Sequence, residues 1–106
     1  MESLTGKLVR LDRRIKVALR EVERHKLGKV EKTQFDKIKL ALTQLKLDVW
    51  DYEYAETRAE QVKWGKIARH NLKALEQGVL ALGTVFGAAD TAELGAQIDT
   101  IRTELE

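Results

Sequence analysis

The sequence predicts an all-α protein, an antiparallel bundle of three long helices and a shorter C-terminal one, packed through coiled-coil-like heptad seams. Three observations predict it. Apolar residues recur at alternating steps of three and four in four successive segments, the period of a helix face turned toward another helix. No segment alternates apolar and polar residues as a half-buried strand does. There is no Pro, so no residue of that kind interrupts a long helix. A length of 106 residues fits one domain, and residues 1–106 are read as a single bundle.

The first seam is Leu4, Leu8, Leu11, Ile15, Ala18 and Val22, widened by Leu19. It predicts a helix over 4–27, stopped by Gly28 as a left-handed cap, with Lys26 suited to the negative helix end. The second seam is Phe35, Ile38, Leu42, Leu45, Val49 and Tyr52. Thr33 is the expected N-cap, with Asp36 three residues on. Gly65, after Trp64, is the expected stop, and a continuous helix through it is the alternative. The third seam is Ala68, Leu72, Leu75, Val79, Leu82 and Phe86, out of phase with the second. Gly78 and Gly83 fall inside that helix, where small residues admit a close neighbour. Asp90 with Glu93 resembles a capping box. It predicts a last helix over 91–105 with the seam Leu94, Ile98, Ile101 and Leu105. A helical hairpin that completes its core by dimerising is the alternative to the bundle.

Composition removes many function classes. Apolar residues are 43% and charged residues 34% of the chain, too apolar for disorder and too charged for a membrane span. With no Cys there is no disulfide, no thiol nucleophile and no Cys-ligated metal. The single Ser, Ser3, and the two His, His25 and His70, form no catalytic constellation. The Glu-x-x-His motif of carboxylate-bridged metal bundles is absent at both His, and Glu21 with His25 offers only two ligands. The prediction is a non-enzyme with no cofactor and no metal. No apolar run reaches the length of a transmembrane helix, the longest lying over 78–89. The N-terminus lacks the apolar core of a secretory signal, so the expected location is cytoplasmic.

Two features carry functional expectations. On the second helix, Leu40, Thr43, Leu47, Trp50, Tyr54 and Thr57 form a second stripe opposite the seam. A surface helix in a simple bundle has one apolar face. Either another helix of the chain covers the second stripe or another molecule does. Leu40, Leu47, Trp50 and Tyr54 are therefore the candidate contacts for a protein partner or a second copy, since aromatic residues anchor binding hot spots. On the first helix, Arg10, Arg13, Lys16, Arg20 and Arg24 line the face away from the seam. Residues 1–32 carry ten Lys/Arg against five Asp/Glu. This stripe is the alternative site, for phosphate on nucleic acid or on an anionic membrane surface. No aromatic residue interleaves with it as a base-stacking platform would require. The acids of the second helix, Asp48, Asp51, Glu53 and Glu56, with Glu60 beyond, are expected to pair with Lys7, Arg10 and Arg14 across an antiparallel hairpin.

Overall fold

A computed structural model describes residues 3–24 and 27–105. Five helices are present among them: α1 (Leu4–Glu23), α2 (Lys29–Glu53), α3 (Arg58–Ala81), the single turn α4 (Gly83–Phe86) and α5 (Ala88–Leu105). The four long helices stand at the corners of an antiparallel square. α1 packs on α2 and α5, α3 packs on α2 and α5, and the diagonal pairs stand apart. The molecule is elongated, 47 × 28 × 17 Å. The heptad seams are its core. Leu11, Ile15, Ile38, Leu45, Leu72, Leu75, Leu94 and Ile98 are wholly buried. Tyr52 closes the second seam only partly buried.

Helix ends depart from the expected ones in consistent ways. α1 starts at an N-cap, Ser3, whose hydroxyl accepts from the Gly6 amide at 3.0 Å. It stops at Arg24 rather than at Gly28. Gly28 has extended backbone at φ −73° and serves as the N-cap of α2. It is not a left-handed cap, because its own backbone is extended and leads into the next helix. Lys26 and His25, and with His25 the Glu21 metal pair, lie outside the described residues. Thr33 does not cap. α2 has already run a full turn there, and the Thr33 hydroxyl donates back to the Lys29 carbonyl at 3.0 Å. Asp36 sits exposed in the helix body.

The break between the second and third helices is at 54–57, not at Gly65. Thr57 caps α3, its hydroxyl accepting from the Glu60 amide at 3.1 Å. The Glu60 carboxylate reaches back to the Glu56 amide at 3.4 Å. Thr57-x-x-Glu60 is thus close to a capping box, a start signal that outranks a glycine. Gly65 is buried inside α3, where a Cβ would stand 3.1 Å from the Tyr52 ring. Gly78 serves the same purpose near the other end of α3. A Cβ there would come within 2.6 Å of Ile38. The two glycines set how closely α3 lies on α2, the most intimate helix pair in the molecule.

The third seam ends in a corner. α3 stops after Ala81, and α4 makes one turn that buries Phe86. Gly87 then takes φ +89°, in the region that favours glycine. α5 therefore begins at Ala88, three residues earlier than the Asp90 box implies. Asp90 and Glu93 do not cap each other's amides. They hold Arg14 of α1, at 2.6 and 3.0 Å.

Candidate interaction face

α2 has two faces of opposite fate. The seam side is buried against the rest of the bundle. The stripe opposite is left open by α1, α3 and α5: Leu40 is 63% exposed, Leu47 57%, Trp50 56% and Tyr54 65%. The described helices therefore leave these four side chains largely uncovered. The reason is geometric. In a square bundle each helix turns one side inward, so residues opposite the seam face outward. Trp50 and Tyr54, one turn apart, stack with ring centroids 4.5 Å apart at a tilt of 32°. The stack stiffens the C-terminal end of the ridge.

A groove flanks the ridge on each side. Toward α1, a cavity of about 250 Å³ is walled by Thr5, Val9, Val49 and Trp50 and ends at Asp12 and Lys46. Val9 is itself 43% exposed and extends the apolar surface across the groove. Toward α3, a shallower groove of about 460 Å³ runs past Lys37, Leu40, Gln44, Asn71 and Gln77. Behind it lies the one charged side chain buried among the described residues, Asp48, which accepts a hydrogen bond from the Asn71 amide. Burial pushes the Asp48 carboxyl above the usual carboxylate range. The Asn71 hydrogen bond opposes the rise, and the Asp51 charge adds to it.

The ion pairs between α1 and α2 run opposite to expectation. Asp12 of α1 pairs with Lys46 of α2 at 3.0 Å and with Lys16 at 3.2 Å. Glu53 accepts from the Thr5 amide and hydroxyl at 3.0 and 2.6 Å. Of the basic residues expected to reach the α2 acids, two turn instead to α5, Lys7 to Glu104 and Arg14 to Asp90 and Glu93. They project from the flank of α1 that faces α5. Glu60 is occupied at the α3 cap.

The basic stripe of α1 is solvent-facing throughout. Arg10, Arg13, Lys16, Arg20 and Arg24 are all exposed. Lys16 is tied to Asp12, and Arg24 lies 3.4 Å from Glu21. Among the described residues there is no group of three or more His, Cys, Asp or Glu that could hold a metal ion. No described helix is long and apolar enough to cross a membrane.

The sequence pattern does not reveal every exposed apolar residue near this face. Val9 on α1 falls outside the seam, at a position that a heptad count assigns to solvent, and is exposed. The packing of α1 beside α2 brings Val9 to the same groove as Trp50. No protein-family model, curated protein or solved structure matches this chain.

Proposed function

We propose that this is a non-catalytic helical module of the cytoplasm that works by binding protein through the outer face of α2. The observation that supports it is the four-residue ridge of Leu40, Leu47, Trp50 and Tyr54, each more than half exposed, on a helix whose other side is fully used by the core. Exposed apolar patches mark interaction sites when their residues gather on one face, as Leu47, Trp50 and Tyr54 do here with Leu40 two turns before Leu47. Trp and Tyr are also the side chains that most often carry binding energy. The test is the double substitution Leu47→Lys and Trp50→Glu. Both sites are exposed, so stability should change by no more than about 0.5 kcal/mol and helix content should persist. Association should be lost. A variant that unfolds would show that the ridge belongs to the fold and would overturn the reading.

A second reading rests on α1. Arg13 and Arg20 are exposed and have no acid partner among the described residues. A phosphate surface, nucleic acid or anionic membrane, would be held by them with Lys16. Such binding should weaken steeply with salt and disappear when Arg13, Lys16 and Arg20 become Glu. No binding to DNA, RNA or anionic vesicles at low salt would end it.

A further inference from the structure

We infer that the occupant of the α2 ridge is a second copy of this chain, its α2 laid antiparallel to the first. The inference rests on the proposed interaction face and names what covers it. The observation behind it is the charge polarity of α2. Residues 29–42 carry Lys29, Lys32, Lys37 and Lys39 against Glu31 and Asp36, whereas residues 43–53 carry Asp48, Asp51 and Glu53 against Lys46, with Glu56 following in the loop. The four lysines of the first half are all exposed. In the second half Asp48 is buried, and Glu53 already holds Thr5. Asp51, half-buried, is left to offer negative charge on the helix beside the ridge, and Glu56 is exposed just past the helix end. A uniformly acidic or basic partner would suit one half of this helix and clash with the other. An antiparallel copy suits both, because its basic half lies on the acidic half of its mate. A twofold contact of this kind is self-complementary by construction.

The ridge itself fixes the offset. Across an antiparallel twofold, matching flanks of the two helices meet. Lys37 lies on the α3 flank, in the groove beside Leu40 and Gln44, and Asp51, two heptads on, shares that flank. Lys39 lies on the α1 flank, one heptad before Lys46, which lines the groove there with Trp50. With the twofold near Thr43 and Gln44, Leu40 packs on Leu47 of the partner subunit. In the same register Lys37 meets Asp51 of the partner subunit. Lys39, which in the single chain lies 5.2 Å from the centre of the Phe35 ring, reaches the face of the partner subunit's Trp50. Apolar, ionic and cation–π pairs thus coincide within one residue of a single offset. A parallel pair would instead set basic half beside basic half and acidic half beside acidic half. One helix pair buries less than the ~1,600 Å² of a standard interface, so the dimer should dissociate within a range of about 1 μM to 1 mM.

The test is a charge swap, read as the dimer dissociation constant by sedimentation equilibrium, with circular dichroism as the check on folding. Lys37→Asp alone and Asp51→Lys alone should each weaken the dimer about five- to tenfold, since each turns two symmetric attractions into repulsions. The combined variant, Lys37→Asp with Asp51→Lys, should return to within about twofold of the original. The two positions are roughly 21 Å apart along one helix, so rescue requires the other chain. A wild-type chain that stays monomeric throughout overturns the inference. A dimer that Leu47→Lys with Trp50→Glu destroys but the charge variants leave unchanged overturns the antiparallel register and leaves the binding face standing. A dimer that survives the ridge substitutions overturns both.

Discussion

α2 meets α3 and α1 in two different ways, although it is close to each in sequence. On the α3 side the contact is close. Gly78 lies under Ile38 and Gly65 under the Tyr52 ring. With no side chain at these points, the two backbones approach until Ile38 and Tyr52 fill the gap. Asp48 is sealed between the helices with Asn71 as its partner. On the α1 side the backbones stand further apart. The outer edge of that contact is bridged by Asp12 with Lys46 and by Thr5 with Glu53, and a groove is left between Val9 and Trp50. Side-chain size at the contact, rather than nearness in sequence, decides which neighbour a helix grips. The gripped side of α2 serves the fold, and the looser side, with the ridge next to it, is left exposed.

The sharpest way to break this contrast is to put a side chain into the close contact. Gly78→Val would drive a branched side chain into Ile38, and it should destabilise the protein by about 2–3 kcal/mol, measured by urea unfolding. If the variant is as stable as the original, α3 can slide away from α2 at no cost and the closeness of this seam is not what holds the pair. The open seam should be far less sensitive. Lys46→Ala removes a pair whose lysine is well exposed, and the loss should be about 0.5 kcal/mol or less by the same measurement.

A small effect of opposite sign concerns the buried carboxylate of the close seam. The folded Asp48 carboxyl sits above its ordinary range, so folding favours its protonated form. That contribution is complete below the ordinary carboxylate range and is lost as pH rises through the raised folded value. Asp48→Asn keeps an acceptor for Asn71 and removes the charge. The variant should melt a few degrees higher than the original near neutral pH, and the gain should vanish as pH falls into the acid range. A gain that is independent of pH would show that the charge of Asp48 is not what costs stability.

The seams are legible in the sequence because burial in a helix leaves a fixed period, and each of the four appears in the core. The helix ends are less so. Gly28 and Gly65 look like stop signals on the strength of their backbone freedom. Neither uses it. Gly28 begins a helix, and Gly65 is present for the space a missing Cβ leaves, which depends on a residue of another helix, Tyr52. The start at Thr57 is written locally, in Thr57 and Glu60, and is available to a closer reading of the capping pattern. The residues of the ridge are legible as a stripe, but their exposure is not. Whether a two-faced helix is covered depends on where the other helices stand, and periodicity along one helix carries no such information. The pairing of Lys7 and Arg14 with α5 is hidden for the same reason, since both flanks of α1 face a helix and only the packed structure shows which flank bears the cations.

On this account the outer side of α2 serves association while its inner side holds the fold. The most direct test is the molar mass of the unmodified chain in solution across a dilution series. A mass that falls from dimer to monomer on dilution, with helix content unchanged, is the expected result. A mass equal to one 12.1 kDa chain at every concentration would contradict self-association through this face.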